Sequence, residues 1–216
     1  MVTLSEENYL KAIYHLGKQG SQAVSTNAIA EQMDTKASSV TDMVKKLAEK
    51  NFVNYVKYQG VSLTKAGRLT AASVVRKHRL WEVFLVEKLK FSWDEVHDVA
   101  EQLEHIKSEK LIDRLNEFLG SPKKDPHGDP IPDKEGKITK TEKILLSQVS
   151  ANTSCVCVGV KNSSKEFLRY LDKINMALGS EIKVISKEPF DQSVTVRLDN
   201  MDITISAMTA NNLYVK

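Results

Sequence analysis

The chain of 216 residues has little of several things, and each shortage excludes a class of protein. Its only cysteines are Cys155 and Cys157. They lie two residues apart on an expected strand, where a bridge would be strained, so a disulfide-stapled scaffold is excluded. They read as reduced thiols of a cytoplasmic protein. No apolar run approaches the ~20 residues that a membrane span needs. The opening "MVTLSEENYL" is acidic and lacks an apolar centre, so no export signal is expected. There is no P-loop, no glycine-rich nucleotide fingerprint and no nucleophile–base pattern; the lone Gly179-Ser180 is too little to count as one. A large excess of one charge is also missing: 31 basic against 28 acidic residues give a net charge of +3, which permits a nucleic-acid partner without demanding one. What remains, 41% hydrophobic and 27% charged, is an ordinary composition for two or three small domains, each with its own core.

The first helix is expected in "SEENYLKAIYHLGKQG", with Ser5 as its cap, Tyr9, Leu10, Ile13, Tyr14 and Leu16 on its apolar face, and Gly17 and Gly20 ending it. A short helix follows in "STNAIAEQM", capped by Ser25 or Thr26. After a break at Asp34-Thr35, "KASSVTDMVKKLAEK" carries a buried stripe of Val40, Met43, Val44 and Leu47. The period then changes to alternation, and "FVNYVKYQGVSLT" reads as a hairpin turning at Gln59-Gly60. Helix, short helix, tight turn, helix, hairpin is the winged helix-turn-helix order. Its second paired helix would enter a major groove, presenting Lys36, Ser38, Ser39, Thr41, Asp42, Lys45 and Lys46. Hydroxyls near the helix start approach bases and phosphates closely, while the lysines add sequence-independent attraction. On the hairpin, Tyr55, Lys57, Tyr58 and Gln59 are placed to touch the backbone or minor groove.

From Lys65 to Leu119 three helical segments are expected: "AGRLTAASVVRKHRLWEVFLVEKL", "WDEVHDVAEQLEHI" and "SEKLIDRLNEFLG", the last capped by Ser108 and stopped by Gly120. "SPKKDPHGDPIPDKEGK" reads as a loop too polar for a core, with His127 an ordinary loop histidine. Beyond it, several short strands with "SKEFLRYLDKINM" as a helix between them read as a small β-barrel-like domain. The fold class is thus mainly α with a small β part. The expected domains are 1–72, a winged helix-turn-helix; 73–138, helical with a linker; and 139–216, β-rich.

One stretch, "HDVAEQLEH", asks for a chemical explanation. At 100° per residue, His97, Glu101, Glu104 and His105 fall within one stripe about 100° wide. On the preceding helix His78 and Glu82 are also one turn apart. Any one of these alone is an ordinary surface residue, but three of the five histidines fall into the pattern; His15 lies at the polar edge of the first helix. If the faces meet, imidazole and carboxylate without thiolate suit Mn²⁺, Fe²⁺, Co²⁺ or Zn²⁺. Without an ion, several carboxylates would be gathered at a desolvation cost. A di-iron carboxylate enzyme would use Glu-x-x-His pairs, and none of these spacings is one. A second reading is a winged-helix regulator that answers an organic ligand or a redox signal, with Cys155 and Cys157 as the sensor in the redox case.

Five stretches carry a resemblance: "EENYLKAIYHL", "SSVTDMVKKLAEKNFV", "LTKAGRLTAASVVRKHRLWEVFL", "VHDVAEQLEHIKSEKLIDRL" and "DPHGDPIP". In this order, over residues 4 to 132, the chain resembles the diphtheria-toxin-repressor and manganese-transport-regulator family of metal-dependent transcriptional repressors. The remainder, notably "LGSEIKVI", resembles the SH3-like, FeoA-type β-barrel that ends longer members. The resemblance implies no enzyme. It implies a homodimer joined through the middle helices, which binds a palindromic double-stranded DNA operator of metal-homeostasis genes. By position, His78, Glu82 and His97 match one metal site, completed in longer members from the SH3-like domain, where Glu166 is the candidate. Glu101, Glu104 and His105 match a second, completed from the first helix at the position of Asn8. Iron sensors carry methionine and cysteine where this chain has Asn8 and Glu101. Manganese sensors carry aspartate and glutamate, with a further first-helix glutamate where Lys11 stands. Glu101 puts a hard oxygen in place of a thiolate, which favours Mn²⁺ first and Fe²⁺ second, with Zn²⁺ or Co²⁺ able to bind in vitro. A metal joining the first helix to the middle helices would fix the spacing of two recognition helices for successive major grooves, about 34 Å apart.

Overall fold

The structure is a computed structural model that describes residues 2–57, 59–139 and 142–216. Two units divide it: Met1–Trp81, Ala100–Phe118 and Ile131–Ile138 form one, and Glu82–Val99, Leu119–Pro130 and Thr139–Lys216 the other. No helix among the described residues is long and apolar enough to cross a membrane.

In the first unit, helix α1 (Leu4–Leu16) begins at Thr3, not at the expected Ser5. The Thr3 hydroxyl accepts the Glu6 N–H at 3.3 Å, and a Glu6 carboxylate oxygen accepts the Thr3 N–H at 2.9 Å. This reciprocal capping box satisfies two orphan donors, and Ser5 has no glutamate at the matching offset. Helix α2 (Thr26–Gln32) is capped by Ser25, and α3 (Ala37–Glu49) follows a turn in which Asp34 takes a positive φ. Leu10, Ile13, Ile29, Val40, Val44, Leu47 and Val61 are wholly buried in one core, with Met43 half-buried at its edge.

Strands β1 (Val53–Val56) and β2 (Gly60–Leu63) pair antiparallel from Val53↔Leu63 to Val56↔Gly60, so Gly60 opens the second strand rather than sitting in the turn. Val24 and Val61 exchange backbone hydrogen bonds of 2.8 Å each, tying the hairpin to the segment before α2. That approach requires Gly60: its φ is +101°, and a Cβ there would sit 2.6 Å from the Val24 carbonyl oxygen. Helix α4 (Lys65–Glu87) starts from this core, into which Ala71, Ala72 and Val75 are packed.

Helix α5 (Val96–Leu103) is shorter than the sequence suggests, and α6 (Glu109–Phe118) is capped by Ser108, whose hydroxyl accepts the Leu111 N–H at 3.3 Å. The 121–137 segment is a loop, as expected, but Asp125, His127 and Ile131 are buried. Local bonding makes that burial tolerable, because one Asp125 carboxylate oxygen accepts the N–H groups of both His127 and Asp129 at 2.9 Å.

The second unit holds a six-stranded antiparallel sheet. Its strands are β3 (Ile144–Leu145), β4 (Ser154–Val160), β5 (Glu181–Lys187), β6 (Val194–Leu198), β7 (Met201–Ile205) and β8 (Leu213–Val215), in the order β3-β8-β4-β5-β6-β7. Helix α7 (Lys165–Lys173) supplies Leu168 and Leu171 to the core beneath it, and a short α8 (Ala207–Ala210) precedes β8. Cys155 and Cys157 point into this core as free thiols. Burial pushes both thiols up, which disfavours the thiolate that a redox sensor needs.

In the first unit, α1 is fastened to the end of α3 by Lys50, whose ammonium lies 2.7 Å from the buried Glu6 carboxylate. Burial alone would raise the Glu6 carboxyl, but the bonds from Lys50 and Thr3 outweigh it and hold it below 4.5. A depressed carboxylate stabilises the fold above its unfolded pKa, and that contribution is lost as pH falls through the folded value. Lys50→Met should therefore cost about 1 kcal/mol at neutral pH, discounted because the lysine is half exposed. The gap from wild type should close as the pH falls below about 4.5. Urea unfolding across that range measures it; a gap that is independent of pH would contradict the pairing.

Candidate metal centre

Helix geometry sets His78 and Glu82 one turn apart on α4, and both are buried, Glu82 to 2% exposure. In the second unit the Glu82 Oε1 lies 3.6 Å from Nδ1 of His97, at the start of α5, and 3.7 Å from Nδ1 of His127. Both separations are longer than a hydrogen bond. Two ligands each about 2.1 Å from a shared ion and at right angles to one another lie ~3 Å apart, so the His97–Glu82 pair needs only a small closure. His97 is half exposed, which leaves a route for an ion to enter.

His127, read from sequence as an ordinary loop histidine, is buried and faces Glu82. Ligand atoms of Glu82, Asp125 and His127 lie within 4.8 Å of one another. The His127 Nε2 donates to the Trp93 carbonyl at 3.0 Å, and its ring is nearly parallel to the Trp93 ring. Burial alone would lower this imidazole, but the Glu82 carboxylate, then Asp125 and the Trp93 carbonyl, raise it to about 9. The charged form of this imidazole is therefore favoured beside the Glu82 carboxylate. The signal in the sequence is Asp125, two residues earlier, whose carboxylate folds the loop inward.

Of the remaining residues of "HDVAEQLEH", Glu101 and Glu104 converge on one partner, and His105 Nε2 lies 3.7 Å from Glu104 Oε1. Helix α5 ends at Leu103; Glu104 still donates its N–H to the Ala100 carbonyl at 2.8 Å, and His105 lies in the turn beyond. Glu104 is wholly buried, His105 half-buried and Glu101 exposed. In the first unit the Lys11 ammonium donates to both Glu104 oxygens, at 2.7 and 2.8 Å, and to Glu101 at 3.3 Å. His78 Nδ1 lies 2.6 Å from Glu104 Oε2, and His105 Nδ1 lies 2.6 Å from Glu7 Oε2. Burial would raise the Glu104 carboxyl, yet the His78 bond and the Lys11 charge hold it below the usual range. An ionised Glu104 only accepts, so His78 Nδ1 carries a proton, and Nε2 is the nitrogen through which this ring could meet a metal. A carboxylate behind a ligating imidazole fixes its tautomer and orientation. Glu104 thus fixes the orientation of the His78 ring.

Among the described residues, no set that includes Glu101, Glu104 or His105 brings three His, Cys, Asp or Glu ligand atoms within 4.8 Å of one another. Asn8, half-buried on α1, makes none of these contacts; Glu7 and Lys11 make them instead. Glu166 is exposed on the first turn of α7. Its neighbour Lys165 reaches Asp98 at 2.6 Å. On α3, Lys36, Ser38, Ser39, Asp42, Lys45 and Lys46 are exposed, while Thr41 is half-buried and its hydroxyl donates to the Ala37 carbonyl at 2.9 Å. Tyr58, expected at the DNA, lies outside the described residues.

Residues 1–61 match the model for the iron dependent repressor N-terminal DNA binding domain, and residues 64–133 that for the iron dependent repressor metal binding and dimerisation domain. Residues 144–216 match the FeoA domain. An HTH-type transcriptional regulator of Methanocaldococcus jannaschii is 36% identical over 115 residues, 53% of this chain and 92% of that protein. The iron-dependent repressor IdeR of Mycobacterium tuberculosis is 36% identical over 126 residues, 58% of this chain but only 54% of its own length. A manganese-dependent transcriptional repressor solved in complex with manganese is similar over 97% of this chain and 98% of its own, with a TM-score of 0.84 and 33% identity.

If Glu104 orients His78 rather than ligating, Glu104→Gln should weaken Mn²⁺ binding roughly 10- to 100-fold without removing a site. Calorimetric titration reads this directly; loss of a whole equivalent of bound metal would make Glu104 a ligand after all.

Proposed function

The chain belongs to the iron-dependent repressor family of metal-dependent, DNA-binding transcriptional repressors, and we propose that it is a manganese-responsive member which reads Mn²⁺ first and Fe²⁺ second through His78, Glu82 and His97. It acts as a homodimer on operator DNA, and the genes it controls are those of metal-ion homeostasis in the cytoplasm. Residues 1–72 serve as the winged helix-turn-helix, 73–138 as the metal-binding and dimerisation domain, and 139–216 as the SH3-like domain.

The observation that carries the metal reading is the buried Glu82 carboxylate with the His97 imidazole 3.6 Å away and His78 one turn back on the same helix. One hard oxygen and two imidazole nitrogens, with no sulfur, suit a first-row divalent ion and do not favour the softer ones; the order Mn²⁺ before Fe²⁺ is supported by the likeness to the manganese-dependent repressor solved with manganese. When bound, that ion supplies the positive charge that this oxygen and these nitrogens are arranged to receive.

The link to DNA runs along α4. Ala71, Ala72 and Val75 are embedded in the core that also seats α3, and His78 is less than one turn beyond Val75. A ligand that draws on His78 therefore acts on a helix already fixed to the recognition unit. Ser38, Ser39, Lys45 and Lys46 present the phosphate- and base-directed groups of α3. The two bindings must strengthen each other by the same factor.

Anisotropy titration of the chain's own promoter DNA, at fixed ionic strength, tests this. Chelator should leave weak binding; Mn²⁺ should raise affinity roughly 5- to 150-fold; and anaerobic Fe²⁺ should act at higher concentration. His97→Ala should abolish the metal effect and leave the dimer intact. Stimulation by Fe²⁺ alone would sink the manganese assignment, and equal binding with chelator and metal would sink the metal switch.

A further inference from the structure

The second metal site that the family pattern assigns to Glu101, Glu104 and His105 does not fit a metal in this chain, because a cation of the chain's own is already seated there. An ammonium has three N–H donors. Those of Lys11 meet three carboxylate oxygens, Glu104 Oε1 and Oε2 at 2.7 and 2.8 Å and Glu101 Oε1 at 3.3 Å. The lysine side chain is only 15% exposed and Glu104 is fully buried, so little water screens the attraction. One turn earlier on α1, Glu7 holds Nδ1 of His105 at 2.6 Å. The oxygens that a metal would need are thus the oxygens that neutralise Lys11, and a divalent ion beside the ammonium would meet like-charge repulsion in a poorly solvated place.

We propose that Lys11 is a resident cation that occludes the second site. The chain accordingly binds a single regulatory metal per subunit, and the clasp between α1 and the residues that follow α5 exists with or without metal. Lys11 and Glu7 make from one side of this clasp the ionic links that an added ion would otherwise make. The inference rests on the reading of His78, Glu82 and His97 as the working site, and its test separates the two.

Equilibrium dialysis of Mn²⁺ against the full-length dimer would be run for wild type, Lys11→Glu, Lys11→Met and His97→Ala. Circular dichroism and gel filtration would accompany each variant. Wild type should bind one ion per subunit, His97→Ala none at the same free concentration, and Lys11→Glu two, since the substitution removes the cation and supplies a further carboxylate. Lys11→Met removes the charge while keeping most of the stem, and should show a weak second ion. Two ions per subunit in the wild type, with one surviving in His97→Ala, would overturn the inference by showing that Lys11 swings aside. So would an unchanged count in both folded Lys11 variants. No ion in wild type but one in Lys11→Glu would overturn the working-site reading and uphold Lys11 as the occluding cation.

Discussion

A single buried anion organises the centre of this protein's first unit. Glu104 has no solvent exposure, and a bare carboxylate in such a place would take up a proton rather than stay charged. It stays ionised because an ammonium from α1 and an imidazole from α4 donate to it. Removal of Lys11 would take away the ammonium that balances the carboxylate, and removal of His78 would cost one of its oxygens a donor, which is why buried pairs are costly to break even when they add little net stability. The same carboxylate thus locates three elements of the first unit: α1 through Lys11, α4 through His78, and the end of α5 through its own backbone. It also sets which imidazole nitrogen of His78 is protonated.

The balance around Glu82 is built on a different plan. Its carboxylate faces His127, whose imidazole is pushed up by Glu82 and Asp125 and donates to the Trp93 carbonyl. The anion therefore has a loop imidazole on one side and His97, half exposed, on the other. That is an asymmetric arrangement: one partner is fixed in a loop with satisfied backbone groups, and the other stands half exposed to solvent. Glu104, by contrast, is met by two buried or nearly buried donors, Lys11 and His78.

Much of this was legible in the residues. The helix-turn-helix order, the wing, the α6 cap at Ser108 and the core stripe of Val40, Val44 and Leu47 all follow from local periodicity and turn chemistry, which the structure retains. What escaped the sequence lies between elements distant in the chain. Periodicity carries the helix through His105, whereas α5 ends at Leu103 and turns Glu104 inward. On sequence alone Lys11 is a departure from a ligand pattern, and only the fold, which brings residues 11 and 104 together, makes it a partner. The "DPHGDP" segment is polar enough for solvent. Its polarity is consumed internally, by Asp125 accepting two backbone N–H groups, and that frees the loop to carry His127 into the interior. Composition counts polar groups, and burial depends on whether they find one another.

A tethered cation and a diffusible one differ in thermodynamic consequence. A ligand from solution adds stability that grows with its concentration, so a contact made through it can report that concentration. An ammonium on the chain is always present, and a contact made through it reports nothing. With Lys11 closing the link between α1 and Glu104, that link becomes part of the constant framework, and on the proposed reading sensitivity to metal is left to His78, Glu82 and His97. With one ion per subunit, two sites within a subunit cannot reinforce each other. Any steepness in the response must then come from the two halves of the dimer engaging one operator together, because coupling between sites requires a second site to couple to.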